Sequence, residues 1–341
     1  MHILFLQPAG HVADLGIDLQ CFGNLPRYGV VSLSSLPRKL RDVGLVVNCI
    51  DTNTAARRIL EAAASCKVPR LYLFDGIYDL QNAYHNPLHR RLCLSQMDPM
   101  LYTHVACVDR WSLTAFAALD VHTHAWLPSR AEPIGDKKSD QNLRAEFLIA
   151  TARTPAFDYA EQDRLEKLLL MVIASLKRIG TRYRFRIGDR KLLASLGASA
   201  DDNDIDTPFS ECIRHYRCLI TTPSTIATTS MLAGVPTATL DYRDSPLTQQ
   251  TGWRIHQLID MDSVLTNMLK PAADRMVFQA REVAHLAKRT PVEDFILDAA
   301  GIAERPPFLV STQRIQWPVN MDYPLRWIWM HWLKRFRKQS R

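Results

Sequence analysis

The run Cys218-Leu219-Ile220-Thr221-Thr222-Pro223-Ser224-Thr225-Ile226-Ala227-Thr228-Thr229-Ser230-Met231-Leu232-Ala233-Gly234-Val235-Pro236-Thr237 decides the fold. An apolar strand delivers the chain into a turn of small hydroxyl residues, and a helix begins there. Gly234 ends that helix, and Val235-Pro236 leads into the next strand. Free N–H groups and the helix dipole make such a terminus an anion site, to which serine and threonine hydroxyls add donors. The same residues also read as an ordinary capped helix with Ser224 or Thr225 at the N-cap.

On either side of this run, 147–150, 183–187 and 237–240 read as strands, with helices over 159–178, 190–196 and 225–233. A comparable series precedes it. Strands are expected at 3–6, 45–50, 70–74, 105–108 and 124–127, and helical periodicity at 30–43, 54–66 and 115–119. Between the two series, residues 128–146 turn to Pro, Gly, Lys, Asp and Ser. Strands alternating with helices imply parallel sheets. The expectation is an α/β protein with two Rossmann-like lobes facing a cleft: a first lobe over 1–128, a linker over 129–146, a second lobe over 147–304 and an extension over 305–341.

This order resembles the two-Rossmann (GT-B) glycosyltransferases of bacterial surface-polysaccharide assembly, the capsule, teichoic-acid and Kdo transferases among them. The resemblance implies that the second lobe binds the phosphate of a nucleotide-activated donor through Thr221, Thr222, Ser224, Thr225 and the Gly234-Val235-Pro236 turn. Many of those enzymes place a glutamate in the helix to hold the donor ribose; here Thr228, Thr229 and Ser230 occupy that region, with no acid.

Further donor candidates follow the neighbouring strands, because ligands of open α/β sheets gather at the carboxyl ends of strands. Arg153 is placed to clamp a diphosphate. Arg186 and Asp189 lie within reach of a base or ribose, and Trp253 and Arg254 are candidates for a base and a phosphate. In the first lobe a general base must face the donor. Asp75, which closes the third strand, is the first choice, followed by Asp79 and His11. Asn82, His85 and Asn86 continue that polar stretch as candidate acceptor contacts. Each also has a plain structural reading: Asp-Gly is a turn signal, and tryptophan in an amphipathic element packs inward.

The chain has 341 residues and a net charge of +7. Six basic residues against one aspartate put +5 of that charge in 321–341, so the remainder is nearly neutral and a nucleic-acid surface is not indicated. On a helical wheel the tail collects Trp329 and Trp332 on an apolar arc, with Lys334, Arg337 and Lys338 opposite; Trp327 and Arg335 belong to the same basic, aromatic stretch. That is the composition of an interfacial membrane helix, or of a helix packed on the first lobe. Seven scattered cysteines point to a reducing compartment. No metal motif has matching spacing, and 201–206 reads as a solvated connector. No cofactor is expected beyond the nucleotide-sugar substrate.

The function expected is glycosyl or polyol-phosphate transfer to a lipid-linked or glycan acceptor, peripheral on the cytoplasmic face of an anionic membrane. A non-catalytic adaptor on the same scaffold, or a nucleotide-sugar epimerase, is the alternative.

Overall fold

A computed structural model describes residues 2–29, 36–50, 53–91, 96–134 and 143–301. The tail, including Trp327, Trp329, Trp332, Lys334, Arg335, Arg337 and Lys338, lies outside them. Among the described residues, eleven strands form two sheets with every pairing parallel.

The first sheet holds β1 (His2–Phe5), β2 (Pro26–Tyr28), β3 (Val43–Asn48), β4 (Arg70–Leu73), β5 (His104–Cys107) and β6 (His122–Ala125), in the order β2-β1-β3-β4-β5-β6. The second holds β7 (Ala145–Ala150), β8 (Tyr183–Arg186), β9 (Tyr216–Thr221), β10 (Thr237–Leu240) and β11 (Trp253–Ile255), in the order β11-β10-β9-β7-β8. The helices of the first series are α1 (Ala9–Asp14), α2 (Leu36–Lys39), α3 (Thr54–Ser65), α4 (Leu80–His85), α5 (Pro87–Arg91) and α6 (Arg110–Ala117). Those of the second are α7 (Tyr159–Arg178), α8 (Arg190–Ser195), α9 (Phe209–Cys212), α10 (Thr225–Leu232), α11 (Met261–Leu269), α12 (Ala273–Ala287) and α13 (Val292–Ala299).

The central strands are apolar on both faces because helices cover both faces. In β9, Cys218 and Ile220 join one core and Leu219 the other. Helix α7 shows how the helices are fixed. Asp158 caps its start by accepting from the Glu161 amide at 2.8 Å. Leu165, Leu168, Leu169, Val172 and Leu176 then bury one stripe, while Lys177 and Arg178 in the last turn suit the negative end of the dipole.

In the second sheet the chain passes from β7 to β8 on one side, then crosses back to β9 on the other. The strand order reverses between β7 and β9, and their carboxyl ends therefore open a crevice. The first sheet reverses in the same way between β1 and β3.

The sequence division assigns everything from 147 to 304 to the second lobe, but the end of that range packs on the first. Leu286, Val292, Ile296, Leu297 and Ala299 share a core with Ile3, Phe5, Leu71 and Trp126. Two strands, β2 and β11, are absent from the sequence expectation; each has three residues at a sheet edge, too short for an alternation to register. The 201–206 connector is also not simply solvated. Asp204 is buried, and although burial opposes its charge, the Tyr216 hydroxyl and Arg144 hold its carboxyl below the usual carboxylate range.

Candidate functional site

The reversal between β7 and β9 brings the predicted hydroxyl loop beside the loop that carries Arg153. Ala150 and Thr221 are register partners at the ends of these strands. Beyond them the Thr222 hydroxyl accepts from the Ala152 amide at 2.7 Å, and the Thr222 amide donates to the Ala150 carbonyl at 3.3 Å. Thr221 is fully buried and donates to the Thr222 carbonyl. These two threonines therefore shape the loops from within. Three groups on these loops are left without protein partners. Ser224 is the N-cap of α10, yet its side chain makes no capping hydrogen bond. Arg153 is exposed. The Thr151 hydroxyl is buried without a hydrogen-bond partner. A guanidinium, two hydroxyls and a helix N-terminus thus lie on the adjoining loops that follow β7 and β9.

The other donor candidates have structural duties. Arg186 donates to the carbonyls of Asp204 and Thr207 at 2.5 and 2.7 Å and lies over the Phe209 ring. Asp189 caps α8 through the Lys191 and Leu192 amides. Trp253 is not available to stack on a base: it is buried in the second lobe's core on β11. Arg254, on the opposite side of that strand, is exposed and pairs with Asp241.

Across the seam, the first lobe presents the segment after β4. Asp75 is exposed and pairs with Arg130 at 3.3 Å. Asp79 caps α4 through the Gln81 amide and pairs with Arg243 of the second lobe. Asn82 and Asn86 bond to each other at 2.9 Å, and His85 is exposed. His11, expected in a loop, sits in α1 at the first sheet's reversal, and its Nε2 is buried with no partner. Of the three candidate bases, His11 alone keeps an unengaged, sheltered atom.

The two lobes touch at the start of α10. The Ile77 amide donates to the Thr225 hydroxyl at 3.3 Å, and a Cβ on Gly76 would lie 2.5 Å from that oxygen, so a larger residue there must push the hydroxyl aside. Thr248 and Ser245 reach back to the Tyr78 carbonyl and the Gln81 side chain. Glu161, not singled out from sequence, is fully buried and lies 2.7 Å from Arg243. In sequence it looks like one more acidic residue in the first turn of a long helix. Thr228, Thr229 and Ser230 are all buried and hydrogen-bonded to Gln249, the Ala131 carbonyl and Thr237, respectively.

Among the described residues no group of three or more His, Cys, Asp or Glu side chains is placed to hold a metal ion. The six described cysteines are free thiols. No described helix is long and apolar enough to cross a membrane.

No protein-family model and no curated protein matches the chain. Solved structures do. The calicheamicin glycosyltransferase CalG4 superposes with a TM-score of 0.50 at 16% identity, covering 89% of this chain and 98% of that one. MurG of Acinetobacter baumannii gives 0.49 at 13%, covering 87% and 99%. The pneumococcal O-GlcNAc transferase GtfA gives 0.41 at 13%, and the match spans 75% of this chain but only about half, 53%, of that enzyme. At such identities the likeness is one of fold alone, the GT-B fold of two Rossmann-like lobes, each built on a parallel sheet.

Proposed function

We propose that this chain is a glycosyltransferase that moves a sugar, or a polyol phosphate, from a nucleotide-activated donor to a glycan or lipid-linked acceptor in cell-surface polysaccharide synthesis. One observation carries the reading. Arg153, Ser224 and the buried Thr151 hydroxyl are left without protein partners where the strand order of the second sheet reverses, beside the N-terminus of α10. A diphosphate engages such a set as the bond to the sugar breaks, because fixed donors stabilise the charge that develops on the leaving group.

On this reading the acceptor lies against the first lobe, and His11 Nε2 takes the proton of its hydroxyl as the oxygen attacks the anomeric carbon. Asp75 and Asp79, the other candidate bases, each pair with an arginine. A site on the cytoplasmic face of an anionic membrane, reached through the basic tail, completes the proposal.

A thermal-shift screen of the intact chain against CMP, CDP, UDP, GDP and dTDP tests the donor site. A ligand that binds only the native state raises the melting temperature, so at least one nucleotide should do so, and silence from all five contradicts the reading. Turnover of a nucleotide sugar in the presence of acceptor excludes an adaptor, and transfer rather than inversion at the sugar excludes an epimerase.

A further inference from the structure

We infer that the segment between β10 and β11, residues 241–252, is a clasp that holds the lobes shut, and that it parts before a nucleotide donor enters. Three cross-lobe bonds gather on it. Arg243 pairs with Asp79, the Ser245 hydroxyl donates to the Gln81 side chain at 2.7 Å, and the Thr248 hydroxyl donates to the Tyr78 carbonyl at 2.5 Å. One short stretch of each lobe therefore carries these contacts.

The shut seam is too tight for a donor. Just before the clasped residues, the first lobe presses on the start of α10. The Ile77 amide donates to the Thr225 hydroxyl, and Gly76 lies so close that a Cβ there would sit 2.5 Å from the same oxygen. Further along, the space between Asp109 and Arg110 of the first lobe and Thr228, Thr248 and Gln249 of the second has room for about one water molecule. A small-molecule pocket takes roughly 300 Å³ or more. A donor whose phosphates lie at the start of α10 therefore competes with first-lobe backbone for that place.

The ion pair is built to come apart. Within its own lobe the Arg243 guanidinium also lies 2.7 Å from Glu161 and donates to the Pro155 carbonyl at 2.9 Å. Asp79 is part-exposed and passes to water when the lobes separate. Parting strands no buried charge, so it costs the bonds broken and not an unpaired ion. A ligand that binds only the open form has its affinity reduced by the open fraction. Weakening the clasp therefore tightens donor binding, the opposite sign from removing a donor contact. This inference rests on the donor reading above.

Calorimetry and amide hydrogen exchange on the full chain separate the two claims. CMP, CDP, UDP, GDP and dTDP are each titrated into wild type, Asp79→Asn and Ser245→Ala/Thr248→Val. Asparagine keeps the cap on α4 while losing the charge, and the double variant leaves the ion pair in place, so either one carries the test if the other fails to fold. In each variant the Ile77 amide, bonded across the seam, exchanges about tenfold faster than in wild type. The nucleotide that binds wild type best binds each variant more tightly by the same factor of about ten. Faster exchange with affinity unchanged or weaker overturns the inference and leaves the donor reading standing. Exchange at the wild-type rate in both variants overturns it as well. Failure of every nucleotide to bind wild type or variant overturns the donor reading and this inference together.

Discussion

Arg243 of the second lobe pairs across the seam with Asp79 of the first, and the same guanidinium lies 2.7 Å from Glu161. Arg243 and Glu161 are almost wholly buried, with side-chain exposures of 2% and 0%. One cation thus holds two carboxylates, one from each lobe, beneath the rings of Phe157 and Tyr242.

Removing that cation strands a buried charge. Breaking a buried pair from one side costs about 3–5 kcal/mol, so Arg243→Leu should lower unfolding stability by about that much in urea titrations. Asp79→Asn should cost less, because Asp79 is part-exposed and the amide still accepts a hydrogen bond. A loss below about 1 kcal/mol for Arg243→Leu, the scale of an exposed pair, contradicts the assignment.

Trp253 belongs to the core and not to the donor site. Trp253→Ala should destabilise by about 3–5 kcal/mol, with nucleotide affinity unchanged at temperatures where the variant is folded. A loss of affinity without loss of stability restores the stacking role.

The candidate bases separate by kinetics. His11→Asn should lower kcat at least about 100-fold, in line with the loss of a general base, with donor affinity unaltered. Asp75→Asn breaks only an exposed pair with Arg130 and should leave kcat nearly unchanged. Reversal of these two outcomes moves the base to the Asp75 loop.

Acid should loosen the junction between α13 and the first sheet. His104 stacks on His122 and meets the Phe295 ring edge-on, and His124 stacks on that ring. Burial, then the neighbouring His122, lowers the His104 pKa to about 4, and burial lowers that of His124. The native state therefore binds these protons less readily than the unfolded chain. The stability they contribute is present above about pH 6.5, the ordinary histidine value, and is lost as the pH falls toward 4. Urea midpoints should drop over that window, and His104→Phe should flatten the drop. Midpoints independent of pH there contradict the account.

Much of this was readable from the chain alone where side-chain period and strand length agreed. Helix α7 falls where its apolar stripe places it, and β9, α10 and β10 follow the quoted run. The site was legible only in part. Ser224 and Arg153 could be named because a strand-to-helix turn and a strand end have local signatures. Arg243 and Glu161 could not, since their roles come from a meeting of residues 82 positions apart, joined by Asp79 from the other lobe. Trp253 misled because a three-residue edge strand shows no alternation to tell core from surface.

The central claim is that Arg153 and Ser224 hold the phosphates of a nucleotide donor. Neither side chain is tied to the protein, so exchanging both for alanine should leave the melting temperature nearly unchanged, as surface substitutions do. Calorimetric titration of the nucleotide that stabilises wild type most into Arg153→Ala/Ser224→Ala is therefore the most direct measurement. Losing a charge-assisted and a neutral hydrogen bond should weaken binding at least about 30-fold. Unchanged affinity in a folded double variant would place the phosphate elsewhere and contradict the account.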